Sequence, residues 1–253
     1  MRVIITGASS GIGAALAAEY ASSGSSMLLI ARNAERLAEV ATTARAKGAT
    51  VELAEISVTD EAAMKAAIEA YDDAAPVDVV ISNAGIALGR RGEGPERPGE
   101  ARKQVDVNLL GMLHTVEPLL DRFQSRQSGR IALISSIAGR RPQADLPTYS
   151  ATKAAVRGYG EAIRPWLRSH GVSVTVICPG FIKTPMAARH NGPKPFQISA
   201  EAAARRMRRA IDRGQGRLTL PTPWQFLLLF EPLLPARISD WFERRSAAVI
   251  ERE

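Results

Sequence analysis

Tyr149 and Lys153 stand four residues apart in "TYSATKAAV", and on a helix the side chains at i and i+4 share a face. A phenol and an ammonium would then reach one site. A free tyrosine titrates near pH 10, a poor match to neutral-pH proton transfer, but an adjacent cation favours the phenolate and lowers that value. Tyr149 would then act as a general acid or base near neutrality. Alone, the spacing also fits a half-buried tyrosine beside a surface lysine. Upstream, "IALISSIAG" ends an apolar run on Ser135 and Ser136, small hydroxyls placed to hold a substrate oxygen.

A second group of residues suits an anion. "TGASSGIG" follows an apolar run and opens an amphipathic one, so Gly7, Gly11 and Gly13, with Ser9, Ser10 and Ile12 between them, sit where a backbone turns tightly against a pyrophosphate. Dinucleotide folds that take NAD usually end their second strand on a carboxylate for the ribose 2′-hydroxyl, whereas a basic residue there accommodates a 2′-phosphate. Here the segment reads "LLIARN", with no carboxylate. Arg32, helped by Asn33 and Ser9, therefore points to NADP(H), with NAD(H) kept as the alternative.

These residues need a scaffold to bring them together. Apolar runs near Val3, Leu28, Leu53, Val79, Leu133, Val174 and Leu218 alternate with amphipathic stretches at Ile12 to Ala21, Asn33 to Ala46, Asp60 to Tyr71, Ala101 to Phe123, Thr148 to Arg168 and Ala200 to Ile211. Such alternation marks βαβ units around a parallel sheet, and runs apolar on both faces predict helices on both sides of it. The expected fold is α/β, a doubly wound (Rossmann) seven-stranded parallel sheet, with residues 1–220 as the catalytic domain and 221–253 as a short apolar helical extension of it. Two long loops, Ala87 to Glu100 and Thr184 to Ser199, follow strand ends, where such sheets bind ligands.

The chain has 253 residues, 45% of them apolar, and a formal net charge of +7. That charge would suit nucleic acid, an anionic surface or a polyanionic cofactor. The excess gathers in "RRMRRAIDRGQGR" without an aromatic-interleaved nucleic-acid motif, so it reads as a solvated helix face and nucleic acid is not an expected partner. Cys178 sits in an apolar run and is expected to be buried and inert. His114, His170 and His190 are too scattered to hold a metal, and none is expected. Strand pattern from the second residue leaves no room for a signal peptide, so cytoplasm is the expected compartment. Phe181, Met186 and Phe196 read equally as pocket lining or as anchors of a closed loop.

Taken in order, "TGASSGIG", "SNAG", the Asn of "VDVNLLG", the Ser of "ISS", "YSATK" and "PGFIKT" resemble the short-chain dehydrogenase/reductase family over residues 1–220. The resemblance implies a catalytic tetrad of Asn108, Ser136, Tyr149 and Lys153. Ser136 is preferred to Ser135 because it stands thirteen residues before the tyrosine. By the same resemblance Ser136 steadies the substrate oxygen, Tyr149 exchanges the proton, and Lys153 holds the nicotinamide ribose. Asn108 would keep a helix kinked and a water placed for proton relay. Asn83, Ala84 and Gly85 would line the adenosine side and Ile182 and Thr184 would meet the carboxamide of the nicotinamide, with Pro179 and Gly180 as further cofactor-binding residues.

Departures from the family pattern are Ser57, beside Val58, where an Asp is common, and Pro165, which predicts a kink or an early end to the tyrosine's helix. The Arg/Gly loop from Ala87 to Glu100 has no counterpart. The implied activity is NADP(H)-dependent hydride transfer between the nicotinamide and a ketone, an aldehyde or a secondary alcohol, in a homodimer or homotetramer. The alternatives are a catalytically silent NADP(H)-binding sensor or scaffold, and a peripheral membrane enzyme for a lipophilic substrate.

The last stretch, "PTPWQFLLLFEPLLPARISDWFERR", cannot span a bilayer, because Glu231 and Pro232 interrupt it and a span needs about 20 apolar residues. A lid or subunit contact through Trp224, Phe226 and Phe230 is expected first, and core packing next. Lying on a membrane surface, through Trp241, Phe242 and the flanking arginines, ranks last.

Overall fold

The structure, a computed structural model, describes residues 1–90 and 94–230, and positions 235, 237, 238 and 240 beyond them. Trp241, Phe242 and the side chain of Phe230 lie outside the described residues.

The chain runs β1 (Arg2–Thr6), α1 (Gly11–Tyr20), β2 (Ser26–Ile30), α2 (Ala34–Arg45), β3 (Thr50–Ala54), α3 (Glu61–Ala74), β4 (Val79–Ser82) and α4 (Glu100–Val105). A π-helical turn at Asp106–Leu110 follows, then α5 (Gly111–Ser125), β5 (Gly129–Ile134), a 3₁₀ turn at Ile137–Gly139, α6 (Pro147–Arg168) and β6 (Val172–Pro179). The rest is β7 (Ile182–Lys183), α7 (Pro185–Ala188), β8 (Ile198–Ser199), α8 (Ala200–Asp212), β9 (Arg217–Leu220) and α9 (Thr222–Phe230).

Seven strands form one parallel sheet in the order β3-β2-β1-β4-β5-β6-β9, while β7 and β8 pair apart from it. All seven apolar runs are strands of that sheet, as the alternating pattern predicts. Successive residues of β1 serve opposite faces. Val3 and Ile5 pack with α1, α2 and α8 residues such as Leu16, Leu37 and Met207, and Ile4 packs with α3, α5 and α6 residues such as Ile68, Leu119 and Val156. Each fully buried aliphatic side chain contributes about 1.5–3 kcal/mol, and the two layers fix the helices on both faces. The order reverses between β1 and β4, which opens a crevice at the strand C-termini.

Two expectations change. The single helix anticipated at Ala101 to Phe123 is three pieces, because the π-helical turn at Asp106–Leu110 interrupts it; such turns recur where a helix must aim a functional residue. The helix carrying Tyr149 does not end early at Pro165 but runs on to Arg168. Pro165 forfeits one helical hydrogen bond, at about 3 kcal/mol. Buried Ile163 and Leu167 on the same turns offset it by packing into the core. Among the described residues no helix is long and apolar enough to cross a membrane.

Candidate active site

The crevice holds a cleft of about 930 Å³. Among the candidates, every catalytic residue except Asn108 and every cofactor-binding residue except Gly13 lines it. Those two stand just behind the wall and shape it.

At the tyrosine end, the 3₁₀ turn and α6 set the geometry. Ser135 Oγ donates to Lys153 O at 2.7 Å, so that hydroxyl ties β5 to α6 and is not free for a substrate. Ser136 lines the cleft instead; its Oγ accepts from Ala138 N at 3.1 Å and donates to Pro179 O at 3.5 Å. Lys153, 4% exposed, donates from Nζ to Ile134 O at 2.8 Å and lies 5.8 Å from the Tyr149 ring centre. Desolvation pulls its pKa down to about 8. Tyr149 departs from expectation. Burial raises its pKa, opposed in part by Ser136. The phenol is held protonated at neutral pH.

Asn108, 1% exposed, sits in the π-helical turn and ties three elements. Its Oδ1 accepts from Ile86 N at 2.7 Å, and its Nδ2 donates to Ile86 O at 2.9 Å and to Thr152 Oγ1 at 3.1 Å. Thr152 in turn donates to Tyr149 O at 2.8 Å. Thr152 therefore joins the tetrad's support, one position before Lys153 in "YSATK".

The Arg/Gly loop also acquires a role. Glu96 accepts from Thr148 N at 3.3 Å, from the Thr148 hydroxyl and from Gln104 Nε2 at 3.3 Å. A carboxylate there satisfies an open amide in the first turn of α6, beside Tyr149, and complements the helix dipole. Glu96→Ala is expected to cost about 1 kcal/mol, as loss of a cap does, and to lower Tm by about 2–4 °C. A thermal melt identical to the native one would contradict that role.

At the glycine end, Gly7 has φ +65° and a Cβ there would come within 2.8 Å of Ala84 Cα. Gly13 does not line the cleft. A Cβ on it would lie 2.2 Å from Gly7 O, so its part is to let α1 press against the loop. Asn83 braces the same loop, donating from Nδ2 to Thr6 O and Gly7 O at 3.0 and 3.2 Å. No side chain caps α1 at Ser10, which leaves its first amides open to the cleft. That cradle fits a pyrophosphate.

Further along, Arg32 and Arg36 line the cleft, and no carboxylate does among the described residues. Arg36 was not foreseen; it lies one turn into α2, where Asn33 Oδ1 accepts its amide at 2.8 Å as the helix cap. Ser57 replaces the common Asp with a hydroxyl engaged by Thr59 Oγ1 at 2.7 Å. Thr184 caps α7 by accepting from Ala187 N at 3.2 Å.

Trp224 and Phe226 are absent from the described lining of the cleft. Trp224 packs instead where a Cβ on Gly180 would come within 2.9 Å of Nε1, with Phe196 edge-on at 6.0 Å, and Phe226 is exposed. Phe181 and Met186 do line the cleft, as does His190, while Phe196 does not. Cys178 is buried, and burial raises its pKa, as an inert thiol requires. No group of metal-binding side chains exists among the described residues.

The sequence profile of the short chain dehydrogenases matches residues 1–194. The chain belongs to that family. An uncharacterised oxidoreductase of Mycobacterium tuberculosis is 34% identical over 247 residues, 95% of this chain and 96% of the relative. The 3-dehydrosphinganine reductase of Arabidopsis thaliana is 34% identical over 206 residues, 80% of this chain and 61% of its own length. Among solved structures, a short-chain dehydrogenase of Sphingobium yanoikuyae in complex with NADPH matches with a TM-score of 0.79 at 27% identity, covering 89% of this chain and 91% of that one. This short-chain dehydrogenase is thus an oxidoreductase with the family's seven-stranded fold.

Proposed function

We propose that this short-chain dehydrogenase is an NADP(H)-dependent carbonyl reductase, interconverting a ketone or aldehyde and its alcohol, with Tyr149 as the general acid. One observation carries the reading. Ser136, Tyr149 and Lys153 line the same cleft as a glycine cradle and two arginines, with no carboxylate among its described lining residues.

When bound, the nicotinamide supplies the hydride. The chain's own residues do the rest. Open amides at the start of α1 hold the pyrophosphate, and Arg32 meets the 2′-phosphate. Ser136 donates a hydrogen bond to the substrate oxygen, and Tyr149 donates its proton to that oxygen as negative charge develops on it. A phenol whose pKa is raised by burial enters the reaction as an acid. Lys153, anchored on Ile134 O, has further N–H groups to offer the ribose. Asn108 and Thr152 hold the tyrosine's helix against the loop after β4.

The relative named a reductase and the neighbour solved with NADPH agree with this sense of reaction and this cofactor. The test is a panel of ketones and aldehydes assayed with NADPH and NADH. Native protein is expected to prefer NADPH, and Arg32→Asp to shift the ratio of kcat/KM toward NADH by about 10- to 100-fold, since a hydrogen bond to a charged group contributes about 1.5–3 kcal/mol. An unaltered ratio would remove Arg32 from the phosphate site.

A further inference from the structure

The cleft lining carries the apolar side chains of Leu88, Leu146, Phe181 and Met186 alongside Lys103, Gln143 and Arg189, with His190 stacked on Phe181. His190 is 7% exposed and stacks on Phe181, ring centres 5.0 Å apart and planes 19° from parallel. Its Nδ1 is buried with no hydrogen-bond partner. The other two histidines are satisfied: His114 Nδ1 meets Val58 O at 2.8 Å, and His170 Nε2 meets Gln124 Nε2 at 3.0 Å. A buried, unpartnered ring nitrogen is unfavourable and rare, and this one belongs to a ring that lines the cleft.

Resting on the carbonyl-reductase reading, we infer that His190 recognises the substrate, a carbonyl compound with an apolar body and a second neutral oxygen, hydroxyl or carbonyl, which hydrogen-bonds the imidazole. The apolar side chains take the body, and His190 beside them is a polar group able to fix its orientation. Burial lowers the pKa of His190, with Asp145 acting against it and Lys194 with it. A neutral imidazole offers one donor and one acceptor, which suits a hydroxyl or a carbonyl better than a carboxylate. A half-turn about its Cβ–Cγ bond exchanges Nδ1 for Cδ2 and preserves the stack on Phe181. The ring can therefore exchange its nitrogen positions without leaving Phe181.

Binding separates this inference from the reaction. The probes are medium-chain alkanones and the same chains bearing a hydroxyl or second carbonyl at graded spacings. Titration calorimetry on NADPH-loaded Tyr149→Phe protein avoids turnover. At one spacing the oxygenated member is expected to bind about tenfold tighter than its plain partner, as one net hydrogen bond allows. His190→Phe, which keeps a ring on Phe181, is expected to abolish that ratio, and His190→Gln to retain part of it. The inference is overturned if no spacing shows a preference, if the preference survives His190→Phe, or if both members lose affinity equally, which would make His190 a structural wedge. A preference that depends on His190, in a protein with native Tyr149 that reduces none of the probes, would sustain the inference and sink the reductase reading instead.

Discussion

Tyr149→Phe is expected to lower kcat for NADPH-driven carbonyl reduction about a thousandfold, inside the 10²–10⁴ range of general acid catalysis, while the Kd for NADPH moves by less than about threefold. The substitution removes one oxygen and leaves the ring beside Lys153 in place. It touches none of the glycine cradle. Ser136 keeps its bonds from Ala138 N and to Pro179 O, so the hydroxyl proposed to steady the substrate stays aimed. Serine is too weak an acid to replace the phenol. Single-turnover kinetics with fluorescence titration of NADPH separate the two quantities, and native-like turnover in the variant would remove Tyr149 from the proton step.

Gly13→Ala carries the second large effect. The added Cβ would lie 2.2 Å from Gly7 O and 2.7 Å from Asn83 Nδ2. Gly7 has no room to retreat, because it is already pressed against Ala84 with φ +65°. The start of α1 must therefore move away from the loop, and overpacking of this kind costs about 3 kcal/mol or more, or about 6–12 °C in Tm. The displaced amides are those that face the pyrophosphate, so NADPH affinity is expected to fall at least about a hundredfold. A variant that melts and binds like the native chain would show that the close contact is not needed.

Local pattern reveals much of this molecule. Strands such as "RVIIT" and "SMLLI" are short, apolar and bounded by turn residues, so their type and order could be read directly, and the glycine spacing placed the cradle. Side-chain partnerships across the fold could not. The π-helical turn around Asn108 exists because Asn108 must meet Ile86 and Thr152, and no periodicity within one segment encodes that. Glu96 and Thr148 are far apart in the chain and adjacent in space. His190 gave no signal, since its stack on Phe181 depends on how the loop after β6 folds back. The Tyr149–Lys153 spacing put both on one face of α6, whereas the lowered phenol pKa expected from it gives way to burial, which raises that pKa.

The central claim is hydride transfer to a carbonyl with Tyr149 supplying the proton, and isotope tracing addresses it most directly. The carbonyl panel is incubated with NADPH deuterated at its hydride-bearing carbon, and the products are read by mass spectrometry. The account predicts an alcohol with one deuterium on the carbinol carbon from native protein and about a thousandfold less of it from Tyr149→Phe. Tight NADPH binding with no labelled alcohol from any carbonyl would contradict it and leave a protein that binds the cofactor without using it.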